Sequence, residues 1–234
     1  MAQRLKNQQI PVIVHIVSKV GIFLTIFSLI SCVSKHTPAQ EQPVPPPPHE
    51  ELIECGSEAF PMVTPGATVM LVGDSLAVGM EPKFISLARK GGYVPVSHAV
   101  NGTSIFQWIK WIKGDLEKNR PELVVVSLGT NDAIIYDRVK QHAGLYGEFT
   151  KIVEESGAIL VWLGPPDISP KLIPRLAEER RLIRKYTSHY FESEAIEKPR
   201  GGDGIHSTHT GYNRWMGAAW DWMIEQNILT KSDN

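Results

Sequence analysis

Between Glu122 and Asp132 the chain reads ELVVVSLGTND, and Leu123–Val126 is apolar at every position. A strand with one wet face alternates apolar with polar residues. A run without alternation needs cover on both faces, as in the central strand of a parallel sheet flanked by helices. The rest of the C-terminal two thirds reads the same way. TVMLVGDS (68–75) is a second buried strand, followed by a helix from about Val78 to Lys90 that stops at Gly91-Gly92. VPVSHAV (94–100) is a strand and NGTS a turn. In SIFQWIKWIKGDLEKN, Ile105, Trp108, Ile109 and Ile112 recur at i, i+3, i+4 and i+7, one face of a helix. GEFTKIVEESGA is a helix ending at Gly157, and ILVWLGPPD (159–167) a fourth strand. KLIPRLAEERRLIRKYTSHYF (171–191) is expected to be a long helix broken or kinked near Pro174, with a weak fifth strand near 189–194. HTGYNRWMGAAWDWMIEQNIL closes the domain as a helix.

Strand–helix alternation at this spacing predicts a three-layer α/β/α domain over residues 66–230, with a central parallel sheet of about five strands in the flavodoxin manner. Ligands in such folds bind beyond the carboxyl ends of the strands. Here those ends are Gly73-Asp74-Ser75, Asn101-Gly102-Thr103, Gly129-Thr130-Asn131-Asp132 and Gly164-Pro165-Pro166-Asp167. Turn chemistry explains each one singly; four in succession point to a site. The loops 76–82, 103–107, 133–145 and 165–172 are expected to set its depth.

The first 65 residues are a different kind of sequence. Residues 1–32 carry Arg4, Lys6 and Lys19, then an apolar run from Val20 to Ile30, the length of a signal-peptide core and short for a bilayer span. The run ends in Leu29-Ile30-Ser31-Cys32, which resembles the lipobox of bacterial lipoproteins. That resemblance implies lipidation of Cys32 and a membrane-anchored protein of the cell envelope. A second apolar patch, Ile10–Val17, departs from the pattern and leaves open an uncleaved anchor from Ile10 to Val33 that carries His15 and Lys19 inside it. Either reading exports the remainder. Residues 33–65 form a linker whose Pro45–Pro48 run favours an extended polyproline spacer. Only Cys32 and Cys55 are present, so a lipidated Cys32 leaves Cys55 without an intramolecular partner. The formal net charge of -1 offers no basic surplus for nucleic acid.

Two readings compete at Gly73-Asp74-Ser75. Asp74 or Ser75 caps the following helix, or Ser75 is a nucleophile held at a strand's carboxyl end. A serine nucleophile needs a base, a group to orient that base, and donors for the developing oxyanion. Gly201-Gly202-Asp203-Gly204-Ile205-His206 supplies an acid and an imidazole three residues apart. By itself the pair reads as well as a helix cap beside a first-turn histidine. His206-x-x-His209 could also ligate a metal with Asp74 or Asp132, but no second acidic cluster or cysteine ligand accompanies it. Asp74 and Asp132 read as braces for neighbouring loops.

Taken in order, Gly73-Asp74-Ser75-Leu76, Gly102, Gly129-Thr130-Asn131-Asp132 and Asp203-x-x-His206 resemble the four blocks of the SGNH hydrolases, the GDSL esterase/lipase family. The resemblance spans about 67–225. It implies Ser75 as nucleophile, His206 as base, Asp203 as its orienting acid, and an oxyanion hole from the Ser75 and Gly102 backbone N–H groups and the Asn131 amide. It implies no metal or organic cofactor. An α/β-hydrolase elbow is excluded, because Ala77 stands where Gly-x-Ser-x-Gly needs its second glycine. The expected activity is hydrolysis of carboxylic esters, short acyl groups such as O-acetyl on envelope polysaccharide or peptidoglycan being the substrate the tether suggests. Two alternatives are an O-acyltransferase using the same acyl-enzyme and a non-catalytic envelope-binding lipoprotein. Among the tryptophans most are expected in the core, with Trp111 the candidate for the rim of the site. The run Arg175–Lys185 reads as a solvated helix face.

Overall fold

The computed structural model describes residues 63–135 and 142–230. The signal or anchor segment, Cys32, nearly all of the linker and part of the 133–145 loop lie outside the described residues. Five parallel strands make the sheet: β1 (Thr68–Gly73), β2 (Val94–Ala99), β3 (Leu123–Ser127), β4 (Ile159–Leu163) and β5 (His189–Phe191), in the order β2-β1-β3-β4-β5. This is the flavodoxin order, with the switch point, where the order of the strands reverses, lying between β1 and β3. The expected three-layer architecture is the observed one.

The unbroken apolar strands are explained by cover on both faces. Val69, Leu71, Leu123, Val125, Val161 and Leu163 pack beneath helices α1 (Ser75–Lys90) and α6 (His209–Glu225). Their neighbours Met70, Val72, Val124, Val126, Leu160 and Trp162 face the opposite layer. That layer is α2 (Ile105–Asn119), α4 (Ala143–Glu155) and α5 (Ile173–Arg184). Trp162 meets the rings of Tyr146 and Phe149 edge-on, each at 5.5 Å between centroids, the geometry in which the positive ring edge meets a negative face. Trp108, Trp162 and Trp215 are core residues. Val63 is buried too, bridging to Leu229, so the packed domain begins ahead of the expected boundary at residue 66.

Three local expectations change. α1 starts at Ser75, not Val78, because Asp74 caps it. Its buried face of Leu76, Ala77, Met80, Phe84 and Ala88 carries the helix past the exposed Pro82. The helix expected over 171–191 is only α5: a 3₁₀ turn at Pro170–Leu172 precedes it, Pro174 sits in its first turn, and His189–Phe191 pair with β4 as the weak fifth strand expected near 189–194. A short helix α3 (Thr130–Ile135), with no counterpart in the sequence reading, follows β3 directly. Among the described residues no helix is long and apolar enough to cross a membrane.

Candidate active site

The site is assembled at the carboxyl ends of β1, β2 and β3 and from the hairpin before α6. β1 runs straight into α1, and the turn is possible because residue 73 is glycine. Its φ is +155°, and a Cβ there would lie 2.2 Å from the Ser127 carbonyl oxygen. Asp74 Oδ1 accepts the Leu76 N–H at 2.8 Å as the N-cap of α1. Ser75 is therefore the first residue of the helix, with its N–H among the first-turn donors that lack an intrahelical acceptor. The two readings of Gly73-Asp74-Ser75 are compatible: Asp74 caps, and Ser75 is left to face outward.

Ser75 Oγ lies 2.8 Å from His206 Nε2, a contact spanning 131 residues of sequence. His206 Nδ1 lies 2.5 Å from Asp203 Oδ2, and Asp203 Oδ1 accepts the backbone N–H groups of Ile205 and His206, each at 2.9 Å. The imidazole bond, with the two backbone donors behind it, holds the Asp203 carboxyl down at about 2. Asp203 does not cap the last helix; Thr208 does, its Oγ1 accepting the Gly211 N–H at 3.2 Å. The Asp203 and His206 side chains remain 49% and 42% exposed.

Gly102 turns the chain after β2 at φ +72°, a conformation glycine adopts without strain. Asn131 Nδ2 donates to the Thr103 carbonyl at 2.9 Å and lies 3.4 Å from Asp74 Oδ2. Asp132 Oδ1 and Oδ2 lie 3.2 and 3.3 Å from the Ile105 N–H at the start of α2. Asn131 and Asp132 thus stitch the loops after β1, β2 and β3 together. Asp74 and Asp132 are both buried. Burial pushes each carboxyl up to about 7, the Leu76 hydrogen bond pulling Asp74 back and the Glu179 charge adding to the rise at Asp132.

Behind Asp132 stands a cluster absent from the sequence reading. Glu179 of α5 is fully buried; its Oε1 lies 2.8 Å from His142 Nε2 and accepts the Tyr146 hydroxyl. Burial works against the His142 imidazolium, but the Glu179 hydrogen bond and charge outweigh it and its pKa rises. Arg180 is buried as well, bonded to the Pro165 carbonyl and to Asp167 Oδ1, each at 2.9 Å, and paired with Glu194 at 3.3 Å. The solvated face expected over Arg175–Lys185 is thus wrong for these two residues. The signal was there: Leu176, Glu179, Arg180 and Ile183 fall at i, i+3, i+4 and i+7, on one face.

Trp111 is 37% exposed and stacks on His98, itself 2.6 Å from Asp115. His98 is the next-to-last residue of β2, opposite Val72 of β1. His209 begins α6 and contacts Asn213. Among the described residues no group of three His, Cys, Asp or Glu side chains could hold a metal ion.

Residues 68–175 match the family model described as "Protein of unknown function (DUF459)". No curated protein matches the chain. Among solved structures, a GDSL-like lipase from Bacteroides thetaiotaomicron is similar over 68% of this chain and 88% of its own, at 17% identity and a TM-score of 0.58. A family 3 carbohydrate esterase from Clostridium thermocellum matches over 69% and 97%, at 17% identity and 0.57. A catalytic mutant of an acetylxylan esterase from Geobacillus stearothermophilus matches over 72% and 96%, at 12% identity and 0.58. At these identities the likeness is one of fold.

Proposed function

We propose that this chain, an α/β/α domain of the SGNH/GDSL fold, is a serine ester hydrolase working through an acyl-enzyme on Ser75. The observation that carries the proposal is the line Asp203–His206–Ser75, with contacts of 2.5 and 2.8 Å. As Ser75 Oγ bonds to the ester carbonyl carbon, its proton passes to His206 Nε2. Asp203, held ionised by its low pKa, keeps the Nδ1 proton in place and stabilises the imidazolium that forms. The new oxyanion is met by the N–H groups of Ser75 and Gly102 and by the Asn131 amide, with the N-terminal end of α1 adding its partial positive charge. His206 then gives its proton to the departing alkoxide, which leaves as the alcohol. Water attacks the acyl-Ser75 carbonyl while His206 takes its proton; His206 then returns that proton to Ser75 Oγ as the acyl–Oγ bond breaks, releasing the carboxylic acid. Each step uses only groups of the chain and water.

The exposure of Asp203 and His206 supports hydrolysis over O-acyl transfer, since transfer to a sugar hydroxyl requires water to be kept from the acyl-enzyme. We assign the substrate to short acyl esters, O-acetyl groups on envelope polysaccharide or peptidoglycan foremost. Two kinds of support stand behind this: the carbohydrate and acetylxylan esterases among the fold's relatives, and the Leu29–Cys32 sequence, which favours a lipid-anchored, exported protein. The test is turnover of p-nitrophenyl acetate, butyrate and octanoate by the full chain in mild detergent, with fluorophosphonate labelling alongside. Turnover falling with acyl length, and loss of turnover and labelling in Ser75→Ala, is the expected result. A folded protein whose turnover and labelling survive Ser75→Ala refutes the acyl-enzyme.

A further inference from the structure

The residues assigned as base and acid sit in an exposed, glycine-rich hairpin. Gly201-Gly202-Asp203-Gly204 puts three glycines around Asp203, and glycine is the residue whose backbone costs most to order. The hairpin's own bonds run between its members: Gly201 N–H to the His206 carbonyl at 2.7 Å, Gly204 N–H to Gly201 at 3.1 Å, Thr208 N–H to the Pro199 carbonyl at 2.8 Å, and the Ile205 and His206 N–H groups to Asp203 Oδ1. Arg200 adds what these lack, a link outside the hairpin. Its Nη1 donates to the Ile205 carbonyl at 2.7 Å and reaches Ser207 Oγ at 3.5 Å, while Nη2 donates to the Asp167 carbonyl in the loop after β4. Asp167 is fixed from its other side, because buried Arg180 of α5 holds both its carboxylate and the Pro165 carbonyl.

We propose that Arg200 is the positioning residue of the base: its guanidinium clamps the peptide carbonyl preceding His206 to the anchored Asp167 loop and so keeps the imidazole aimed at Ser75. This rests on the reading of Ser75 and His206 given above. A planar fork with five donors can reach two carbonyls on different segments at once; an ammonium is a single point of attachment. The clamp acts on alignment, where a displacement of about 1 Å lowers the rate on the order of 100-fold.

The experiment compares Arg200→Gln and Arg200→Lys with the wild-type full chain on p-nitrophenyl acetate. In Arg200→Gln the clamp predicts a kcat per labelled site lower by roughly 10- to 100-fold at little-changed KM. Arg200→Lys keeps one point of attachment and loses the fork, so kcat recovers only in part. A loosened fold alone lowers Tm and the fraction labelled by fluorophosphonate but leaves kcat per labelled site at the wild-type value, and that outcome overturns the proposal. Should Arg200→Gln not fold, Arg200→Lys decides: a reduced kcat at constant KM sustains the clamp, and a wild-type kcat overturns it. Wild-type labelling lost in Ser75→Ala is the separate control, whose failure removes the catalytic serine and the clamp with it.

Discussion

Asp132→Asn isolates the electrostatics beneath the oxyanion loop. The carboxyl of Asp132 is buried against Glu179, whose negative charge adds to the burial effect, and its pKa is lifted from 3.8 to about 7. A group raised on folding prefers its proton in the native state. The unfolded chain then binds fewer protons between those two values, so the stability Asp132 contributes is whole below about pH 4 and is lost as pH climbs to about 7. The full shift corresponds to about 4 kcal/mol, an upper figure because Asp74 shares the same field. Asparagine keeps an oxygen to accept the Ile105 N–H but cannot ionise. Whatever the new amide costs by lacking partners is the same at every pH and cancels in the comparison. The assay is urea unfolding of both proteins at steps from roughly pH 4 to 8, plotting the variant's stability minus the wild type's. That difference should rise by about 2–4 kcal/mol across the range and level off above it. A flat difference would refute the reasoning, showing that Asp132 ionises in the folded protein as it does in the unfolded chain.

On the proposed mechanism, Asn131→Ala takes away one oxyanion donor and should lower kcat by about 10²- to 10³-fold with KM little changed, read by steady-state kinetics on p-nitrophenyl acetate. Gly73→Ala puts a methyl 2.2 Å from the Ser127 carbonyl oxygen at a φ that L residues avoid. Thermal unfolding should show a loss of more than about 2 kcal/mol, and wild-type stability would mean that the β1–α1 turn can relax.

The sequence carried the strand ends well because each rests on local chemistry: an apolar run, then a residue that must turn. Leu123–Val126 could only be a covered strand, and Gly73 and Gly102 mark turns that the structure contains. Other features depend on partners far along the chain. Glu179 is fully buried because His142, 37 residues before it, and Tyr146 meet it, and charged side chains otherwise belong at the surface. β5 is three residues long and pairs with β4; the sequence showed it only as a weak strand near 189–194, because three residues are too few to display alternation. α3, with six residues, is too short to display a period. Arg200 was invisible for a similar reason, since nothing before the tertiary structure brings Asp167 within its reach.

The separation of 131 positions between Ser75 and His206 also sets a schedule. Val63 pairs with Leu229, so the first and last segments of the domain close against each other, and the hairpin arrives with α6. Until that last helix docks beside α1, Ser75 is an ordinary serine with no base in reach and no more reactive than any other. On the acyl-enzyme reading, a chain still emerging from the ribosome cannot attack the esters it passes. On that reading the hydroxyl is switched on by the completion of folding, and its labelling by a serine-directed probe would count finished molecules.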